Sequence, residues 1–187
     1  RTMVSELSLY TENAVLFPEK EYVFHNIDAR NREKELQRLS ALDKIGKGAI
    51  VVASVTACTT YTLCRDKFDS LSFSVEVGSS YDIDELTTRL INMGYKRCDM
   101  TESAGQFSVR GGILDIFSPN NDEPVRIEFF DNEIDSIIFF DANDQRSRAN
   151  IEIARIIPVS ELCLSDEEMD NLFRYISKTK SKKTVSS

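Results

Sequence analysis

The residue whose setting most suggests recognition chemistry is Arg110, which stands in GQFSVRGGILDIF between an alternating strand and two glycines. Phe107 and Val109 share one face of that strand, and Gln106, Ser108 and Arg110 share the other. With Val109 inward, the guanidinium points away from the core. Gly111 and Gly112, read as lying within the strand, remove two side chains beside it, permit a bulge or bend, and let another backbone come close. The chemistry on offer is a rigid fork of five donors directed at carboxylates or carbonyls. Pattern alone favours the plainer reading, a solvated strand arginine beside a bulge.

Other constellations lead away from catalysis. A phosphate-cradling loop requires G-x-x-x-x-G-K-[ST], which the sequence lacks, and GKG at 46–48 reads as a helix stop and loop. ILDIF (113–117) weakly resembles an apolar strand ending in a magnesium-binding aspartate, but the strand continues past Asp115, which is expected on the solvent side of a sheet. The single histidine, His25, has no nucleophile pattern near it and reads as structural. Cys58, Cys64, Cys98 and Cys163 form no C-x-x-C pair, so no zinc site of usual spacing is expected. Carboxylates are plentiful, yet alternation turns them to water, where nothing raises their pKa values for general-acid work. No catalytic, cofactor or metal site is expected in this segment.

At 187 residues and 41% hydrophobic, the chain suits one ordinary domain or two small ones. No apolar run approaches the roughly 20 residues of a membrane span, and widely spaced thiols suit a reducing cytoplasm. The net charge of −8 opposes nucleic-acid binding. Residues 111–144 alone hold nine acids and one base, Arg126, a solvated face or an attractor for a basic partner. The chain opens on Arg1 with no fold-starting pattern before its first strand, and is expected to be a piece of something longer. Its Lys-rich end, from Ser177, is expected to fray.

The elements divide into two styles. AVLF (14–17) reads as a buried strand followed by a proline break and a second extended piece. Leu36, Leu39, Leu42 and Ile45 mark a helix stopped by Gly46, and AIVVASV (49–55) reads as a central parallel strand covered on both sides. From Leu71 the pattern changes. LSFSVEVG alternates strictly, Ile83, Leu86, Leu90 and Met93 stripe a helix that Gly94 ends, and residues 105–141 read as a three-stranded antiparallel sheet turning at 118–122 and 131–132. IEIARIIPV reads as a further strand, and Ser165 and Glu168 form a capping box before a helix bearing Met169, Leu172, Phe173 and Ile176. The expected architecture is an α/β layer over 1–70, an inserted α+β domain over 71–147, a return to the first part over 148–176, and a tail over 177–187.

GQFSVRGGILDIFSP, followed by EPVRIEFFDNEIDSI and FDANDQRS, resembles the UvrB-homology region of bacterial transcription-repair coupling factors, the Mfd family. FPEKEYVF, IVVASV and DELTTRLINMGY fall in the expected order, so the resemblance covers nearly the whole chain apart from its tail. UvrB itself is the close relative to exclude. It carries an aromatic-rich hairpin between the segments matching FPEKEYVF and IVVASV, whereas here the interval from Phe24 to Ile50 is charged and helical in pattern. The second glycine of RGG is also similar to the coupling factors, since UvrB sequences usually place an acid there.

The resemblance implies a degenerate RecA-like α/β part carrying a UvrA-binding α+β domain. Arg110 matches the arginine of the family's R-G pair, Arg97 in GYKRCDM an upstream arginine of the same surface, and Phe107 is a third candidate whose alternation favours core packing instead. Ser108 stands where UvrB commonly has another arginine, which implies a smaller contact set. ATP, magnesium, RNA polymerase and DNA would belong to other parts of the parent, an ATP-driven translocase in which the UvrA surface is implied to be masked until the motor engages. Two alternatives stand beside this reading: a DNA-verifying UvrB-type piece, and a scaffold with no partner site. DNA binding separates the coupling-factor reading from the UvrB-type one. The chain is expected to show negligible affinity for fluorescein-labelled single-stranded DNA at physiological salt by anisotropy, and clear binding would favour the UvrB-type reading.

Overall fold

Two short apolar runs, AVLF and IVVA, pair in parallel with a helix packed on them, and this is the α/β part of the chain. The computed structural model describes residues 2–20, 29–164 and 166–183. In chain order its first elements are α1 (Thr2–Leu7), β1 (Ala14–Phe17), α2 (Ala29–Ile45), β2 (Ile50–Ala53), α3 (Val55–Thr59) and α4 (Arg65–Leu71). On α2 the expected stripe faces inward through Leu39, with Leu36 and Leu42 half-buried, while Ile45 at its end is exposed. The parallel pairing of β2 agrees with the sequence, but its cover does not. Among the described residues the sheet has two strands, Ile50 is 48% exposed, and the apolar run ends at Ala53, because Ser54 caps α3 by accepting from Ala57 N at 3.1 Å. Valine content marks a strand; it does not supply the layers that bury one. The second extended piece, His25 and Ser165 of the capping box lie outside the described residues.

The remaining elements are β3 (Phe73–Glu76), α5 (Ile83–Asn92), β4 (Lys96–Arg97), β5 (Gln106–Arg110), β6 (Ile113–Ile116), β7 (Val125–Phe130), β8 (Glu133–Phe140), β9 (Ser147–Asn150), β10 (Ile153–Ile156) and α6 (Asp166–Lys183). β3 alternates buried and exposed as its sequence demands. Asp82 caps α5, its carboxylate accepting from Asp84 N and Glu85 N at 2.8 and 3.1 Å. Gly94 ends the turn that follows at φ 90, where a Cβ would lie 2.8 Å from that of Ser160, so both conformation and space require glycine. Strands β4 to β9 form one sheet in sequence order, antiparallel except for the parallel β4–β5 pair. Where three antiparallel strands were expected over 105–141 there are four, since the Gly111–Gly112 pair turns the chain instead of bulging it.

One core serves this part. Leu86 and Leu90 of α5, with Met93 that caps its end, pack on Phe107, Leu114, Ile116, Val125, Ile127, Ile134 and Ile137 of the sheet, with Phe73, Val75, Ala154 and Ile156 from the β3–β10 ribbon. β10, expected to return to the α/β part, thus pairs antiparallel with β3. The return is made just beyond it. Ile157 clusters with Leu39 and Phe68, and Tyr95 donates its hydroxyl to the Ile157 carbonyl at 2.8 Å. Polar ties follow the same seam. Asp43 of α2 accepts from Arg155 Nε at 2.9 Å and from Lys47 Nζ at 2.7 Å, and although burial alone would raise its pKa, these cations hold it below the usual carboxylate value. Glu161 accepts from the fully buried Arg38 at 2.9 Å and from Thr62 at 2.6 Å.

α6 continues to Lys183, through much of the segment expected to fray, and leaves Phe173, Tyr175 and Ile176 exposed. No helix among the described residues is long and apolar enough to cross a membrane. The central place of α5 sets an expectation for stability: Leu90→Ala, at a side chain with no exposed surface, is expected to cost about 3 kcal/mol. Urea unfolding followed by circular dichroism measures it, and a loss below ~1 kcal/mol would mean that α5 does not hold the sheet.

Candidate protein-interaction site

β5 and β6 form a two-residue hairpin in which Arg110 pairs with Ile113, Val109 with Leu114, Ser108 with Asp115 and Phe107 with Ile116. Gly111 alone of the two turn residues has positive φ, at 60, the pattern of a type II′ turn that matches the twist of the strands. Gly112 meets the expectation of a close backbone: a Cβ there would stand 3.0 Å from the Phe129 carbonyl, and Phe129 N donates to Gly112 O at 2.8 Å. The second glycine therefore lets the hairpin tip lie against β7.

The turn also overturns the expected position of Asp115. Running back along the hairpin, Asp115 lies on the same face as Ser108 and Arg110, and it is fully buried instead of facing water. Arg126, its partner across β7, grips the carboxylate with two donors, Nε to Oδ1 at 2.8 Å and Nη2 to Oδ2 at 2.9 Å. Arg110 adds a third, Nη2 to Oδ2 at 2.7 Å. The hydrogen bond to Asp115 raises the Arg126 pKa further above its already high value, and the same guanidinium lies 4.5 Å from the centroid of the buried Phe140 ring. Thr101, buried, closes the site from the side, with its hydroxyl 3.2 Å from Ser108 Oγ.

The two arginines divide the work. Arg126 has a side chain only 15% exposed and is committed to the carboxylate, whereas Arg110 is 45% exposed. Among the described residues Asp115 is the one acceptor that Arg110 engages, so the rest of its fork faces outward. The result is a guanidinium oriented from beneath and open above, which loses less conformational freedom on binding than a loose arginine does.

Of the other candidates, Phe107 is wholly buried in the core and has no surface for a partner. Arg97 is exposed, with no hydrogen bond or ion pair among the described residues, but its register partner is Phe107. It therefore stands on the opposite side of the sheet from Arg110, at the edge strand, and Lys96 stands on the Arg110 side. The resemblance implies one surface for Arg97 and Arg110, and the register sets them on opposite sides of the sheet, Arg97 at its edge. Ser108 is buried beneath Thr101. Asp115 is the residue that sequence reasoning misplaced, and a signal for it was present. The apolar phase jumps from odd positions, Phe107 and Val109, to even ones, Leu114 and Ile116, and a G-G pair at the jump marks a two-residue turn.

Residues 73–162 match the family model described as the UvrB interaction domain. The chain is 36% identical over 162 residues to the transcription-repair-coupling factor of Bacillus subtilis (strain 168), covering 86% of this chain and 14% of that protein. Against the protein of the same name from Myxococcus xanthus it is 40% identical over 134 residues, 70% of this chain and 11% of the relative. Against that of Staphylococcus aureus (strain MRSA252) it is 37% identical over 139 residues, 74% and 12% respectively. The chain spans at most about a seventh of these relatives.

The charge arrangement predicts two different responses to mutation. Asp115→Ala leaves Arg126 without its buried counter-charge and is expected to cost about 3 kcal/mol. Arg110→Ala removes only the half-exposed member and should cost less than ~1 kcal/mol. Urea midpoints of the two variants test this, and equal losses would mean that Arg110 is as structural as Asp115.

Proposed function

The chain belongs with the UvrB-homology regions of the transcription-repair coupling factors, and we propose that it recruits the excision-repair protein UvrA to stalled RNA polymerase by protein–protein binding. Residues 71–147 act as the UvrA-binding domain, set into a partial RecA-like α/β part formed by 1–70 and 148–176. The observation that carries the reading is Arg110, oriented by a buried carboxylate while the rest of its fork is open. Arginines held in this way are frequent energetic centres of interfaces.

The segment needs no cofactor for this role and performs no catalysis. ATP, magnesium, DNA and RNA polymerase are engaged by other parts of the parent translocase, which acts in the cytoplasm. There the UvrA surface is covered until the motor engages, so the isolated chain presents it constitutively. Arg97 contributes from the sheet edge, and less than Arg110, because its register sets it on the other side.

Calorimetric titration of UvrA into the chain tests the proposal. Wild type is expected to bind, Arg110→Ala to weaken binding on the order of thirtyfold with the fold intact, and Arg97→Ala to weaken it less. A folded wild-type chain that fails to bind would leave it a scaffold.

A further inference from the structure

The β7–β8 hairpin ends in a feature that the Arg110 site does not use. Phe130, the last residue of β7, is 77% exposed. Its neighbour Phe129 packs on the core, and Phe130 pairs with Glu133 across the turn, so its ring lies on the Arg110 side of the sheet. A single exposed aromatic is ordinary on a protein surface; what sets this one apart is how its backbone is held.

This tip is not loose. Phe129 N donates to Gly112 O at 2.8 Å on one flank, beside the turn that follows Arg110. On the other flank Tyr81 N donates to Asn132 O at 2.8 Å, Ile134 N to Ser79 O at 2.9 Å and Gly78 N to Ile134 O at 2.8 Å. Asp131 sits between them at φ 53, the left-handed turn conformation that aspartate adopts more readily than most residues. The ring is therefore presented by a braced backbone. Around it Asp131, Glu133 and Asp135 are exposed, and none has a cation partner among the described residues.

We infer that Phe130 is a second anchor of the partner surface, an aromatic ring on a braced acidic tip that enters an apolar recess with a basic rim on the same partner that Arg110 engages. The inference rests on the reading of this segment as a UvrA-binding one. Charge decides the form of the recess: three unpaired carboxylates around the ring repel an acidic rim and attract Lys and Arg. Aromatic anchors seated in a pocket and ringed by polar contacts are the usual energetic centres of such interfaces.

UvrA titrated into the wild-type chain, Phe130→Ala, Phe130→Leu, Arg110→Ala and Ile91→Ala separates the possibilities, with thermal melting confirming each fold. Ile91 is the control, an exposed apolar residue on α5, across the sheet from Phe130. Phe130→Ala is expected to weaken binding at least about tenfold at unchanged melting temperature, Phe130→Leu to retain most affinity, and Ile91→Ala to match wild type. If Phe130→Ala binds as wild type does while Arg110→Ala loses binding, the anchor is refuted and the UvrA reading stands. Failure of the wild-type chain to bind would overturn both.

Discussion

A carboxylate taken wholly out of water must be compensated where it stands, and the compensation of Asp115 organises one face of the main sheet. Arg126 supplies the charge from the next strand, lies over Phe140 and is fixed by that packing. Arg110 then takes the remaining direction, toward solvent. Buried ion pairs of this kind add little net stability over an apolar equivalent, because desolvation offsets most of the attraction. What the triad does supply is position. The opposite face of the same sheet is ordinary apolar packing against α5, so the strands carry a core on one side and a charge-ordered surface on the other.

Much of this fold is legible locally, and the exceptions share a cause. The alternation of β3 and the stripe of α5 follow from short-range periodicity, and Gly94 stops the turn after α5 for reasons of φ that any reader of the chain can apply. The phase jump at the two glycines carries the face of Asp115, but its burial depends on Arg126, eleven residues on and one strand away. The exposure of Ile50 depends on layers that apolar composition does not specify, and β9, with the uniformly exposed sequence SRAN, exists only because β8 offers it an edge. The outward face of Arg110 follows from the alternation of its strand. The group that aims it was hidden by the assumption that two glycines bend a strand instead of ending it.

The seam between the two parts of the chain has its own logic. Ile157 inserts behind β10 against Leu39 and Phe68, while Asp43 and Glu161 gather cations from both sides. Apolar contact there is modest and ionic contact dense. Orientation between the parts is thereby set by directional bonds, which tolerate little sliding, and the sheet that bears Arg110 is held in register with α2.

The two-residue turn at Gly111–Gly112 has a consequence for how this hairpin can change over generations. Directly paired residues on neighbouring strands share a face, so the carboxylate meets the guanidinium because the turn sets Arg110 opposite Ile113 and Ser108 opposite Asp115. A one-residue slip of that pairing would send Asp115 into the apolar layer and Leu114 into water. Loop length selects turn type, so an inserted residue is compatible with the pairing only where a longer turn of its own geometry restores the same partners. What the hairpin must keep is its register, and the loop is free to vary only in ways that preserve it.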